Sequence, residues 1–95
     1  MDAGELLERY AAGERDFREI DLEGAFLGGG SFDGINLRES HLSRIVFTGA
    51  SLKQANFREA DLTNSSLQAN LSEANLISCD LTDANLTTAQ LTYGG

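Results

Sequence analysis

Large apolar residues recur at every fifth position along most of this chain. Leu or Phe occupies each such position from Phe17 to Leu67, and the series resumes after a shift of one residue, from Leu71 to Leu91. A period of five fits neither an α-helix, which needs apolar spacings of three and four, nor a flat strand, which alternates at every second residue. The pattern therefore predicts a repeat architecture built from units of five residues.

Two further positions of each unit are regular. The residue two places before the apolar centre is small in most units: Ala25, Ala50, Ala55, Ala60, Ala69, Ala74, Ala84 and Ala89, with Gly30, Ser40, Ser65 and Cys79. The residue directly before the centre is polar in most units: Asp21, Asn36, Asn56, Asp61, Asn70, Asn75, Asp80 and Asn85. We expect one large and one small side chain of each unit to point inward, with polar side chains between and after them.

This pattern of Ala, then Asp or Asn, then Leu and two variable residues resembles the pentapeptide repeat family. Residues 55–59, 60–64 and 84–88 carry it as Ala-Asn-Phe-Arg-Glu, Ala-Asp-Leu-Thr-Asn and Ala-Asn-Leu-Thr-Thr. The resemblance covers residues 15–93, and the family includes small cyanobacterial members. It implies an all-β solenoid, a right-handed quadrilateral parallel β-helix of about four coils in which each unit forms one side.

A second period, of twenty residues, supports four sides per coil. An Arg-Glu pair follows the centres Phe17, Leu37 and Phe57 and recurs only on every fourth unit. Rungs of successive coils lie about 4.8 Å apart, so the arginines and glutamates are expected to form two adjacent ladders that pair within or between rungs. Since exposed pairs are worth about 0–1 kcal/mol each, the ladders are interpreted as solvated ion pairs that help to set register.

The residue two places after each centre is expected at a corner. A type II turn needs a positive φ at its third residue, which Gly or Asn supplies most easily. Type II corners are therefore predicted at Gly24, Gly29, Gly34, Gly49 and Asn64. One residue is missing between Leu67 and Leu71, so the side that follows Gln68 must tighten or distort while the stack continues.

The chain divides into a capping helix within residues 1–14 and a β-helix over residues 15–93. Asp2 and Glu5 resemble a capping box, and Gly13 is suited to end the helix. An open solenoid end exposes core and unpaired backbone, so a cover is expected there.

The helix itself is predicted over residues 3–12. Leu6, Leu7 and Tyr10 are expected to lie on one side of it and to cover the first coil.

Two sides of the predicted coil carry candidate interaction residues. On one side Asp21, His41, Asp61 and Asp80 stack, which places His41 between two aspartates. We interpret His41 as a surface histidine paired with aspartate rather than as a metal ligand.

The next side carries Phe26 and Val46 as outward neighbours, flanked by Gly28, Gly29 and Gly49. This small apolar patch is a candidate contact for a partner or a second copy, and two tolerated surface residues are the simpler alternative.

The C-terminal end shows no cover that matches the N-terminal helix. Leu91 belongs to the last predicted coil, and Tyr93 follows it. Either Tyr93 folds over the end, or two copies stack end to end, or the chain is part of a longer array. We favour a homodimer through this end, with Leu91 and Tyr93 as candidate contacts.

Charge and composition exclude several kinds of partner and several cellular locations. The net charge of −8, from 15 acidic and 7 basic side chains, argues against direct binding of nucleic acid or of an anionic membrane. No apolar run is long enough to span a bilayer, and the acidic start lacks the basic region of a signal peptide. The single cysteine, Cys79, excludes an internal disulfide framework. A cytoplasmic protein is expected.

No catalytic constellation, cofactor motif or metal-ligand cluster is recognisable. Cys79 is predicted to point inward as inert core, and His41 is predicted to point outward, so they cannot form a reactive pair. We therefore expect a non-catalytic module that binds another protein, whose identity the sequence does not give.

The alternative is an acidic rod that mimics DNA and binds a DNA topoisomerase, as some relatives in the family do. Four coils would span about 19 Å, roughly six base pairs. The arginine ladder also interrupts the negative surface, so the interaction module is preferred.

Overall fold

A computed structural model describes residues 1–92 of the protein. One helix, α1 (Ala3–Ala11), precedes a solenoid. Within residues 1–92 the β-structure consists of single-residue parallel bridges rather than extended strands. Bridges join Asp16 to Asn36 and Asn36 to Asn56, so successive rungs are twenty residues apart, as the Arg-Glu recurrence predicts.

The bridges form four columns, which define four sides of the solenoid. The first side contains Asp16, Asn36, Asn56 and Asn75, and the second contains Asp21, His41, Asp61 and Asp80. The third side contains Phe26, Val46, Ser66 and Asn85, and the fourth contains Ser31, Ser51, Asn70 and Gln90. These columns bring together the same residues that the two sequence periods align.

The missing residue after Gln68 is absorbed at one corner. In an ordinary unit the N–H of Ala60 donates to the carbonyl of Phe57, three residues back, at 2.9 Å. Here the N–H of Ala69 donates to the carbonyl of Leu67, only two residues back, at 2.8 Å. A tighter three-residue turn of the γ type therefore replaces the four-residue turn. The predicted tightening is confirmed.

Positive φ angles occur at far more corners than the sequence rule predicts. All five predicted corners have them, from Gly24 at 72° to Asn64 at 57°. So do nine other corners: Glu19, Glu39, Arg44, Gln54, Glu59, Glu73, Ser78, Asp83 and Thr88. The restriction to Gly and Asn was therefore wrong.

Hydrogen bonds between coils favour a positive φ at each corner, whichever side chain the corner residue carries. The N–H of Glu59 donates to the carbonyl of Ile77 in the next coil at 3.0 Å, and the adjacent turn is closed by Ala60 and Phe57. A left-handed residue with a Cβ costs roughly 1–2 kcal/mol. The hydrogen bonds made at each corner offset that cost, because the alternative is an unpaired N–H inside the stack.

The core is a column of the repeat centres with aromatic rings at its middle. Rings of Tyr10, Phe32, Phe47 and Phe57 meet edge to face, with successive centroids 5.7, 6.1 and 6.1 Å apart. A Cβ on Gly30 would lie 2.7 Å from the ring of Phe32. This small inward position must therefore be glycine, because the Phe32 ring occupies the space of its side chain.

Helix α1 begins and ends with regular caps. The carboxylate of Asp2 accepts a hydrogen bond from the N–H of Glu5 at 2.8 Å, as the capping-box residues predict. At the other end the N–H groups of Gly13 and Glu14 donate to the carbonyls of Tyr10 and Arg9, both at 3.0 Å. With Gly13 at φ 103°, this is a Schellman ending.

The helix covers the first coil with a narrower face than predicted. Leu6 is fully buried, and the hydroxyl of Tyr10 donates to the carbonyl of Asp33 at 2.8 Å. Leu7, however, is 47% exposed, so its assignment to the covering face was wrong. A residue one step along a helix is turned by about 100°, which places Leu7 outside the face centred on Leu6.

Burial falls off toward the other end of the solenoid. Leu71 is the last centre that is fully buried, whereas Leu76, Leu81 and Leu86 are half-buried. Leu91 is 42% exposed. Within residues 1–92 the two ends of the solenoid are therefore unlike, one closed by α1 and the other open.

No helix within residues 1–92 combines the length and the apolar character needed to traverse a bilayer.

We predict that Gly24→Ala lowers the free energy of unfolding by about 1 kcal/mol. A Cβ at Gly24 meets no atom within 4 Å, so the loss reports only the positive φ. Gly24→Asn should lose less, because asparagine tolerates this conformation. Urea unfolding of the three proteins measures the difference, and equal stability of Gly24→Ala and the parent protein would contradict the corner analysis.

Candidate interaction surface

The polar residue before each centre caps the backbone. The side-chain oxygen of Asn56 accepts a hydrogen bond from the N–H of Arg58 at 3.0 Å. The same bond recurs in eight other units, where the N–H two residues further along the chain donates to the side-chain oxygen. The accepting residues are Asp16, Asp21, Asn36, Asp61, Asn70, Asn75, Asp80 and Asn85. The sequence pattern shows this position as polar and outward, but it gives no direct sign of the cap.

The second side uses its aspartates in this way. The carboxylate of Asp80 accepts from both the N–H and the hydroxyl of Thr82, at 3.0 and 2.6 Å. The hydroxyl bond, and then the N–H bond, lower the pKa of Asp80 below its ordinary value. His41 stacks between Asp21 and Asp61 as predicted, but within residues 1–92 it forms no ion pair with either. The interpretation of His41 as a paired histidine was therefore wrong.

The arginine ladder of the first side pairs within rungs. Arg38 lies 3.8 Å from Glu39, and Arg58 lies 3.6 Å from Glu59. Arg18 departs from the predicted pairing, because its guanidinium contacts Asp16 at 2.8 Å instead. An ordinary asparagine cap is replaced there by a carboxylate, which attracts the arginine more strongly.

Cys79 is half-buried rather than fully enclosed. Its thiol donates to the carbonyl of Phe57, and burial raises the pKa of the thiol. The reactive thiolate is therefore disfavoured. No cluster of His, Cys, Asp and Glu within the described chain is arranged to hold a metal ion.

The third side carries the most exposed large apolar residue of the solenoid. Phe26 is 71% exposed and bridges Val46. A Cβ on Gly28 would lie 3.0 Å from both the ring of Phe26 and the carbonyl of Thr48. The ring therefore lies over Gly28, and the glycine gives this side its low relief.

The third side also has uncapped backbone donors. Phe26 and Val46 have no side-chain acceptor, and within residues 1–92 the hydroxyl of Ser66 accepts no hydrogen bond from the N–H of Gln68. Within residues 1–92 the N–H groups of Gly28, Thr48 and Gln68 consequently have no hydrogen-bond acceptor. These residues follow the bridge column through three successive coils, whose rungs lie about 4.8 Å apart. They form a column of donors open to solvent or to a partner.

Charge distinguishes the third side as well. Its outward positions from Phe26 to Gly29, from Val46 to Gly49, from Ser66 to Gln68 and from Asn85 to Thr88 carry no ionisable side chain, although the chain has a net charge of −8. At its edge Arg44 forms an ion pair with Glu23. We name the residues Phe26, Gly28, Val46, Thr48, Ser66 and Gln68 the neutral face.

The features expected of a DNA mimic are weak in this shape. The principal extents are 29, 27 and 23 Å, so the molecule is squat rather than rod-like. Arg18, Arg38 and Arg58 run along the first side and interrupt its negative charge.

The candidate end contact Leu91 is exposed at the open end, whereas Tyr93 lies outside the described residues.

Comparison with known families identifies the architecture. The family model for pentapeptide repeats matches residues 16–54, 31–68 and 69–93, with eight copies. The chain belongs to the pentapeptide repeat family. No curated protein matches it.

Solved structures of this family are similar to the chain. A pentapeptide repeat protein of the Arabidopsis thaliana thylakoid lumen is 27% identical with a TM-score of 0.78, covering 88% of this chain and 61% of that one. Rfr23 from the cyanobacterium Cyanothece is 28% identical with a TM-score of 0.76, covering 80% and 53%. HetL from the cyanobacterium Nostoc, described as involved in the regulation of heterocyst differentiation, is 32% identical with a TM-score of 0.53, covering 90% and 47%.

These neighbours identify the solenoid as a right-handed β-helix. The chain spans between 47% and 61% of the length of these three proteins.

We predict that Asn56→Ala lowers the free energy of unfolding by about 1 kcal/mol, because the N–H of Arg58 loses its acceptor. Asn56→Asp keeps an acceptor oxygen and should lose much less. Urea unfolding separates the two variants. Equal losses would show that the side chain contributes by packing rather than by capping.

We predict that Thr82→Val raises the pKa of Asp80 toward its ordinary value, because the largest stabilising contact of the carboxylate is removed. In the parent protein the ionised Asp80 contributes stability above the ordinary pKa of a carboxyl group. That contribution is lost as the pH falls through the lowered pKa of the folded state. Carboxyl NMR titration measures the change, and an unchanged pKa in Thr82→Val would contradict this assignment.

Proposed function

We propose that this protein is a non-catalytic interaction module that binds a partner protein through its neutral face. In this proposal the module is a quadrilateral β-helix of about four coils, capped by α1, and it acts in the cytoplasm. One observation carries the proposal. Three successive coils of the third side lack the cap that all four coils of the first side carry, and Phe26 stands exposed over Gly28 in the first of them.

The chemistry of the neutral face indicates what the partner must offer. The N–H groups of Gly28 and Thr48 require acceptors, which backbone carbonyls supply. Phe26 and Val46 require an apolar side chain that covers them. A face without charge gives no electrostatic attraction to a basic or an acidic partner, so we propose an uncharged peptide segment of another protein as the occupant.

The neutral face is small, which sets the expected affinity. One side of a short solenoid offers much less surface than the roughly 800 Å² per partner of a stable complex. Binding should therefore be weak and transient, as in signalling encounters. The description of HetL as involved in regulation supports a regulatory role of this kind for the present chain.

We predict that peptides selected on the parent protein from a random displayed library bind Phe26→Asp at least tenfold more weakly. Tenfold corresponds to about 1.4 kcal/mol, a plausible contribution for a buried aromatic residue. Ile77→Asp is the matched control, since Ile77 is 59% exposed on the first side. Titration of each selected peptide against the three proteins measures the affinities.

The position of binding is checked independently by NMR. The amide signals of Gly28 and Thr48 should shift when a selected peptide is added. Equal binding to Phe26→Asp and Ile77→Asp, or shifts confined to the second side, would overturn the proposal.

A further inference from the structure

The backbone of the neutral face offers open hydrogen-bond donors, whereas its outward carbonyls are already in use. Within residues 1–92 the N–H groups of Gly28, Thr48 and Gln68 have no acceptor. In the second and third coils of this side, four carbonyls each accept an N–H from the preceding coil at 2.8 to 2.9 Å. They belong to Val46, Thr48, Ser66 and Gln68. A bound segment therefore finds backbone partners here for its carbonyls but not for its N–H groups.

This asymmetry favours proline in the bound segment. An ordinary residue brings one backbone acceptor and one backbone donor, and a donor that is buried against used carbonyls costs free energy. Proline brings the carbonyl without the N–H. A proline-rich segment therefore matches the hydrogen-bonding groups that the neutral face leaves open.

The spacing of the donors selects the conformation of the segment. Rungs lie about 4.8 Å apart, so Gly28 and Gln68, two rungs apart, are separated by about 9.6 Å along the solenoid axis. An extended strand along this axis presents carbonyls on one side every 6.8 Å or so, which matches neither one rung nor two. An α-helix uses its carbonyls internally, so it offers none to the column.

A polyproline II helix matches the separation of two rungs. It has three residues per turn and a rise of about 3.1 Å per residue, so carbonyls on one side recur at about 9.3 Å. None of these carbonyls is used inside the helix. The carbonyls of residues i and i+3 can therefore accept from Gly28 and Gln68, while the intervening carbonyls point away and leave the N–H of Thr48 to solvent.

The apolar residues of the neutral face suit the same segment. The ring of Phe26 is 71% exposed and lies over Gly28, beside the first of the two donors. Val46 continues this apolar surface in the next coil. Pyrrolidine rings pack against exposed aromatic rings in the recognition of proline-rich segments by other folds, so Phe26 supplies the contact that such a segment requires.

Charge and size favour a short segment over a folded partner. The outward positions of this side carry no ionisable side chain, so a proline-rich segment covers it without burying an unpaired charge. The distance between the two donors is spanned by only four residues of a polyproline II helix. A surface of this size cannot hold a folded protein, but a segment that is already ordered when free loses little conformational entropy on binding.

We infer that the neutral face binds an uncharged, proline-rich segment of a partner protein as a polyproline II helix that runs along the solenoid axis across three coils. Carbonyls three residues apart accept from the N–H groups of Gly28 and Gln68, and a proline ring contacts Phe26. The inference rests on the proposed function, because it names the sequence class and the conformation of the segment bound at the same surface.

Two uncharged peptides of nine residues test the conformation, an oligoproline and an alternating Gly-Ser peptide, both acetylated and amidated. The oligoproline should bind the parent protein at least tenfold more tightly, as measured by NMR titration. The amide protons of Gly28 and Gln68 should move downfield further than that of Thr48. Equal binding of the two peptides, or the largest shift at Thr48, would overturn the inference.

A pair of variants at Ser66 tests the hydrogen bonds. Ser66→Asn should weaken oligoproline binding at least threefold, because the new side chain caps the N–H of Gln68 as Asn56 caps that of Arg58. Ser66→Ala is the control, since it leaves this N–H open, and it should bind as the parent protein does. Circular dichroism checks that both variants are folded. Equal binding by the two variants would show that the donor at Gln68 takes no part.

The outcomes separate this inference from the proposed function. Library peptides that lose affinity for Phe26→Asp but bind Ser66→Asn as tightly as the parent protein would leave the neutral face as the binding surface and overturn the polyproline II helix. Library peptides that bind Phe26→Asp as tightly as the parent protein would overturn the proposed function and this inference together.

Discussion

The backbone hydrogen bonds between coils are the interaction on which the rest of this structure depends. Unlike a helix, a side of the solenoid satisfies few of its own backbone groups, since the N–H groups of the centre, the bridge residue and the corner must each reach the coil before or after it. A coil is therefore stable only as a member of a stack. This constraint explains why α1 contributes a hydroxyl group as well as apolar cover, through Tyr10. It also explains why the corner residues accept a strained backbone whatever their side chains.

The five-residue pattern follows from this constraint in two steps. The stack leaves no room inside except for one large and one small side chain per side, so the apolar centre and the residue two places before it are restricted. The stack also leaves one outward N–H per side without a partner in the neighbouring coils, and the Asp or Asn before the centre caps it, as Asn56 does for Arg58. Where that residue is missing, as at Phe26 and Val46, the protein exposes backbone donors and apolar surface together.

Sequence reasoning recovered the features that depend on spacing. The bridge columns, the altered turn at Gln68 and the buried face of α1 around Leu6 all follow from counting residues. It failed for features that spacing does not determine, such as the direction of a side chain, the choice of an ion-pair partner and the backbone angle of a corner. Leu7 lies just outside the covering face, Arg18 prefers Asp16 to Glu19, and corners such as Glu59 adopt positive φ. The caps were not foreseen either, because a polar residue at an outward position looks the same whether it binds solvent or backbone.

The turn at Gln68 has a consequence for how such chains vary in length. Bridges on either side of it, such as Ser31 to Ser51 and Asn70 to Gln90, are spaced by twenty residues, whereas bridges that cross it, such as Asn56 to Asn75, are spaced by nineteen. All four columns continue across the deletion. The repeating structural unit is thus one side of the coil with its hydrogen bonds, and the number of residues in that unit can vary. A deletion confined to a corner changes the local turn and leaves every later surface in phase. Alignments of related chains that allow gaps only between whole repeats would therefore assign the residues after such a corner to the wrong positions.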